Sequence, residues 1–242
     1  YGFEPSPEWL TRVQHAAIRF ADGGSGSFVS GRGLVLTNHH VARSYIHKLS
    51  TAQRDLLRDG FYAPTEAAEL PCPDIEVSIL DSYQDVSERV RGAAQASPPG
   101  AATGGATAAQ SHSGRKQTIA AIEKECNEAT GLRCEVVTLY GGGQYWLYRY
   151  RRYPDVRLVF APEEQAASFG GEYDNFVYPR YALDFAILRV YDGGKPLATP
   201  GALRLRPQPA SEGELLLVPG HPASTNRGLT LAQLRYHRDV QN

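Results

Sequence analysis

The sequence predicts a mainly β chain, a β-barrel with a few short helices attached. Three observations predict it. Residues 28–41 read as two apolar strands joined by a turn bearing Gly31 and Gly33, ending in the polar corner Thr37-Asn38-His39-His40. Residues 183–190 read as an apolar strand carrying a single carboxylate, Asp184, near its start. Three more strand patterns follow one another at 135–140, 144–152 and 156–161, with Gly141-Gly142-Gly143 turning between the first two. Many short strands with glycine turns and few helical stretches fit an all-β barrel.

The elements follow in order. Ser6 suits an N-cap and Pro7 the first helical position, and Leu10, Val13, Ala17 and Phe20 make an apolar stripe, so a helix is expected out to Phe20. Asp22-Gly23-Gly24-Ser25-Gly26 breaks it, and the strand pair around Gly31 and Gly33 follows. A helix is expected over 50–59, closed by Gly60 where a glycine stop is favoured. Residues 75–80 and 85–91 read as β. Residues 93–114 are an Ala/Gly/Ser/Pro stretch that buries too little apolar surface to order itself, and a flexible loop is expected there. A helix over 115–127 leads into the three strands, and 183–191 and 214–218 are further strands. From Leu229 to Asn242 the chain turns polar and helix-compatible, as at the start of a new element.

Composition narrows the class. With 242 residues, 42% of them hydrophobic, the chain has ample material for a core. A formal charge of -1 implies neither nucleic acid nor an anionic membrane as partner. No apolar run approaches the ~18 residues that a membrane-spanning helix needs. The chain contains no methionine and starts at Tyr1, so a processed or partial product is expected, one from which a secretory signal could already have been removed. Cys126 and Cys134 flank a turn-forming stretch holding Asn127, Thr130 and Gly131; that spacing suits a local disulfide, the alternative being two free thiols. Cys72 would then be unpaired and buried between Pro71 and Pro73. No C-x-x-C pair and no His-Glu-x-x-His frame is present, and neither a metal nor a cofactor is expected.

The chemistry concentrates at two points. A histidine held at a barrel rim by a rigid hairpin is what general-base catalysis requires: oriented, near neutral and open on one side. A carboxylate on an otherwise apolar strand needs a partner, because an unpaired buried charge is costly. One histidine of the His39-His40 corner and Asp184 would together make two parts of a nucleophile–histidine–aspartate system.

Several motifs in order resemble the bacterial dipeptidyl-peptidase family of chymotrypsin-fold serine peptidases (dipeptidyl-peptidase 7/11-like). They are Gly-Ser-Phe-Val-Ser at 26–30, Gly-Leu-Val-Leu-Thr-Asn-His-His at 33–40, Asp-Gly-Phe-Tyr-Ala at 59–63, Leu-Pro-Cys-Pro at 70–73, the block from Phe169 to Arg180, Asp-Phe-Ala at 184–186, and the block from Pro219 to Arg227. The resemblance covers nearly the whole chain except 93–114 and implies a trypsin-like barrel, the first barrel with part of a second. It implies His40 as base, since a small apolar residue, Val41, follows it as in the wider trypsin-like class. It implies Asp184 as the carboxylate that orients His40. His39 is expected to be structural, because neighbours along an extended strand face opposite sides. In the resembling enzymes the asparagine matching Asn175 helps hold the α-ammonium of the substrate. Phe176 stands where that family usually has tryptophan, keeping an aromatic face but losing an indole donor.

The nucleophile is expected to lie outside this chain. Gly23-Gly24-Ser25-Gly26 has the look of a serine loop, but Ser25 precedes His40, and such nucleophiles come from the second barrel. Ser211 and Ser224 lack the flanking glycines. Residues 1–228 are therefore expected to be the N-terminal part of the peptidase domain and 229–242 the start of a helical insertion, with these residues alone inactive. The favoured reading is a periplasmic or secreted dipeptidyl-peptidase acting on peptides with free N-termini, a homodimer by family tendency. The alternatives are a trypsin-like endopeptidase and a non-catalytic peptide-binding barrel.

Overall fold

The structure, a computed structural model, describes residues 2–95, 108–168, 182–221 and 228–241. Helix α1 (Pro7–Ala16) starts as its sequence dictates: the Ser6 hydroxyl accepts from the Trp9 amide at 3.2 Å, and Pro7 opens the first turn. It stops at Ala16 rather than Phe20. Residues beyond it form strand β1 (Ala17–Phe20), where Ile18 and Phe20 are fully buried and Arg19 between them is not. Both edges of β1 are paired, so tertiary pairing overrides the helical stripe.

Strands β2 (Ser25–Phe28) and β3 (Leu34–Thr37) complete a meander with β1. Helices α2 (His39–Leu49) and α3 (Leu56–Asp59) follow, then the short strands β4 (Phe61–Tyr62) and β5 (Leu70–Pro71) and the long β6 (Val77–Asp85). Next come α4 (Ser87–Gln95), α5 (Ala108–Thr130), β7 (Arg133–Leu139), β8 (Gln144–Tyr153), β9 (Asp155–Ala161) and α6 (Glu164–Ser168). Strand β10 (Ala186–Asp192), β11 (Lys195–Pro196) and helix α7 (Leu231–Tyr236) finish the chain.

The eleven strands among the described residues belong to one antiparallel sheet, ordered β4-β9-β10-β3-β2-β1-β6-β8-β7, with β5 on β9 and β11 on β10. Pairing runs β9-β10-β3-β2-β1-β6-β8, and β8 and β9 are consecutive stretches separated by Pro154. The ladder therefore returns to its own starting segment, and the sheet closes into a barrel. Pro154 has no N–H to donate, which suits the point where one run leaves β6 and joins β10. Each barrel strand sends residues inward: Ile18, Phe28, Val35, Val77, Leu158 and Leu188 are fully buried in one cluster.

Beyond the barrel, β6 and β8 continue and add β7, and α4 and α5 cover one face of this extension. A second core, including Val86, Val90, Ile122 and Leu147, fills the gap, and the bonded pair Cys126–Cys134 ties the end of α5 to β7. Cys72 is a free, buried thiol.

Several local expectations differ from the fold. The helix expected over 50–59 survives only as α3, capped by Asp55 and ended by Gly60 at φ 68°. Its neighbour α2 starts at His39, ahead of the span where the helix was expected. Of residues 85–91 only Asp85 is strand, the last of β6; its carboxylate accepts from the Ser87 amide at 2.8 Å, and α4 follows from Ser87. Helix α5 reaches back to Ala108, into the stretch expected to be a loop, while residues 96–107 lie outside the described residues. Residues 214–218 join no ladder among the described residues and leave Leu216 and Val218 exposed. Helix α7 begins with a capping box between Thr230 and Gln233.

Candidate active site

The pairing of β3 with β10 assembles the site. Thr37 lies opposite Ala186 in that antiparallel register, so the residues just past Thr37 meet the residues just before Ala186. The 144 positions between His40 and Asp184 collapse to contact across two neighbouring strands. Thr37 is itself buried and its hydroxyl donates to the Ser25 carbonyl at 2.8 Å, which fixes the end of β3 against β2.

Asp184 is held from three sides. The Leu183 amide donates to the Ala166 carbonyl at 2.9 Å, anchoring the segment on α6. The Phe185 amide donates back to the Leu183 carbonyl at 2.7 Å, closing a three-residue turn with Asp184 at its apex. Phe185 then stacks on Phe160 of β9, centroids 5.4 Å apart and planes at 22°. An Arg43–Glu164 ion pair joins α2 to α6, so both halves of the site share one support. The buried side of β10 is Ala186, Leu188 and Val190; Leu183, expected within the buried run, is exposed.

One carboxylate oxygen of Asp184 lies 2.7 Å from His40 Nδ1, and the other accepts from the His40 backbone amide at 3.0 Å. His40 is in the first turn of α2, so the carboxylate also satisfies an amide that the helix leaves unpaired and sits at the positive end of its dipole. The Asp184 side chain is 9% exposed and that of His40 is 55% exposed. With Nδ1 engaged, the rest of the imidazole faces solvent.

His39 and His40 do diverge, though not as neighbours on an extended strand. They open helix α2, where successive residues are turned about 100° apart. His39 points into the protein at 2% exposure, beside Ala42, Tyr45 and Ile46. Its Nε2 has no hydrogen-bond partner among the described residues. Burial holds the His39 imidazole below the ordinary histidine range, partly opposed by the nearby carboxylates of Asp184 and Glu164.

The residue that sequence reasoning missed is Asn38. Its side-chain amide donates to the Asp184 carbonyl at 3.0 Å and to the carboxylate at 3.3 Å. An asparagine just ahead of a helical apolar spacing was the available signal, but without the helix at 39–49 it went unread. Asn175 and Phe176, proposed to hold the substrate amine, lie outside the described residues, as does Ser224. Ser25 is engaged structurally: its hydroxyl accepts from the His221 amide at 2.7 Å. Among the described residues no three His, Cys, Asp or Glu side chains converge as metal ligands.

A closed antiparallel barrel presenting a histidine–aspartate pair at its rim defines a candidate hydrolase of the peptidase type. The family model described as Peptidase S46 matches residues 1–242, and the chain belongs to that family. It is 32% identical over 249 aligned residues to dipeptidyl-peptidase 7 of Porphyromonas endodontalis, covering 95% of this chain and 29% of that protein. It is 31% identical to the Asp/Glu-specific dipeptidyl-peptidase of Porphyromonas gingivalis, covering 96% of this chain and 34% of that one. Among solved structures, DPP11 of Porphyromonas endodontalis in complex with the dipeptide Arg-Glu superposes with a TM-score of 0.68 at 29% identity, over 88% of this chain and 32% of that chain. The chain thus spans about a third of the length of the relatives it matches.

Proposed function

We propose that these residues supply the base and the orienting carboxylate of a serine-type dipeptidyl-peptidase that releases dipeptides from peptides with free N-termini. The 2.7 Å approach of His40 Nδ1 to Asp184 carries the reading. The Nδ1–H donates a hydrogen bond to Asp184, which leaves Nε2 as the acceptor on the exposed side. A serine hydroxyl attacking the scissile carbonyl passes its proton to Nε2, and the imidazolium hands it to the departing amine. Asp184 stays ionised throughout and stabilises the charged ring.

We place that serine in sequence beyond these 242 residues, consistent with a chain covering about a third of its relatives. Alone, they are expected not to turn over a dipeptidyl chromogenic substrate, because a base without a nucleophile or oxyanion donors has nothing to activate. Residues 229–242, with α7, are read as the start of a helical insertion, and a homodimer and a periplasmic or secreted location belong to the same proposal. Asn175, with Phe176 beside it, is assigned to the substrate's terminal amine, which sets the distance to the cleaved bond.

The test compares one peptide with a free and with an acetylated N-terminus, using the protein at its full natural length. Cleavage of the free form alone is expected, with Asn175→Ala acting mainly by raising KM. Equal cleavage of both forms would favour the endopeptidase, and cleavage of neither the peptide-binding barrel.

A further inference from the structure

We infer that Asn38 is a positioning residue of this site, one that acts on the reaction through Asp184; the inference rests on the peptidase reading. Asn38 occupies the N-cap position of α2, where an asparagine side chain ordinarily accepts from an amide of the first turn. Here it makes no such bond among the described residues. The Asp184 carboxylate takes that role by accepting from the His40 amide at 3.0 Å. Freed from capping, the carboxamide of Asn38 turns its N–H groups on Asp184, one to the main-chain carbonyl and one to the carboxylate oxygen that also meets His40 Nδ1.

That exchange has a mechanical consequence. Clamping both the carbonyl and the carboxylate of one residue restricts rotation about the bonds between them. Asp184 sits at the apex of a tight turn, and its carboxylate also accepts from the His40 amide. With the His40 amide on one carboxylate oxygen, Asn38 holds the other and keeps the carboxylate aimed at Nδ1. Asn38 is exposed, so replacing it disturbs little packing.

The experiment measures kcat, KM and the pH profile of the full-length protein on a dipeptidyl chromogenic substrate, for wild type, Asn38→Ala and Asn38→Asp. Proton NMR of the same proteins follows the downfield signal of the His40 Nδ1 proton. Asn38→Ala is expected to lower kcat about 10- to 100-fold with KM within about twofold, the pattern of lost alignment. Its downfield signal should shift or broaden. Asn38→Asp, the same size but offering acceptors where donors are needed, should not restore kcat.

A kcat within about twofold of wild type in Asn38→Ala, with the NMR signal unmoved, would overturn the inference. So would a loss carried by KM alone, or one explained entirely by a smaller folded fraction. A wild-type protein that releases no dipeptide, or a fully active His40→Ala variant, would defeat the peptidase reading itself and is distinguishable from both.

Discussion

Two adjacent histidines share one backbone corner and have opposite fates. His40 meets Asp184 and solvent, whereas His39 is enclosed. Burial lowers the pKa of His39, so the unfolded chain takes up its proton first as pH falls. The stability gained by keeping His39 neutral is full above about pH 6.5, the unfolded value, and is lost as pH drops below it toward the folded value. His221, also lowered by burial and by Arg19, contributes with the same sign. The melting temperature is therefore expected to fall between about pH 7 and pH 5, and His39→Gln should flatten part of that slope. An unchanged slope in His39→Gln would show that the enclosed imidazole is not the group responsible.

At the scale of elements, the hairpin that carries the histidines depends on a close approach. Gly33 has φ 68°, and a Cβ there would lie 2.6 Å from the Val190 carbonyl oxygen on the neighbouring strand. Gly33→Ala is expected to cost more than about 2 kcal/mol in urea unfolding, combining a left-handed backbone with a backbone clash. Gly31→Ala, with nothing within 4 Å of the added methyl, should stay within about 0.5 kcal/mol. Equal losses at the two positions would contradict this account of the turn. Strands β3, β7, β8, β9 and β10 were legible because their alternation and glycine turns are local. Helix α2 was not, although Ala42, Tyr45, Ile46 and Leu49 have helical spacing. One member of its buried face is His39, a residue that reads as polar, and the catalytic resemblance drew the corner as the end of a strand. At 85–91, Val86 and Val90 are four apart and fit a helix as well as a strand, and the Asp85–Ser87 cap decides between them. At 17–20 the helical stripe was real, but pairing on both edges of β1 outweighed it.

Across the whole molecule, the pairing of β3 with β10 within the barrel turns a distant pair of residues into a site. Strand β10 reaches β3 on one side and β9 on the other, and β9 is tied through Pro154 to the strand that closes on β6. The contact between His40 and Asp184 thus depends on the long-range pairing of β3 with β10, and a sequence pattern could name the two residues without showing how they meet. The pair itself was named from an apolar strand with a lone carboxylate, a histidine at a hairpin end, and the family resemblance that singled out His40. Its support from Asn38, Ala166 and Phe160 was not, because those contacts come from separate elements. The most direct measurement is kcat/KM for dipeptide release by the full-length protein, compared among wild type, His40→Ala and Asp184→Asn. Losses on the order of 10³-fold or more in both variants, with folding intact, are expected of a working base and its orienting carboxylate. Either variant retaining activity within about tenfold of wild type would contradict the assignment of this pair as the catalytic base system.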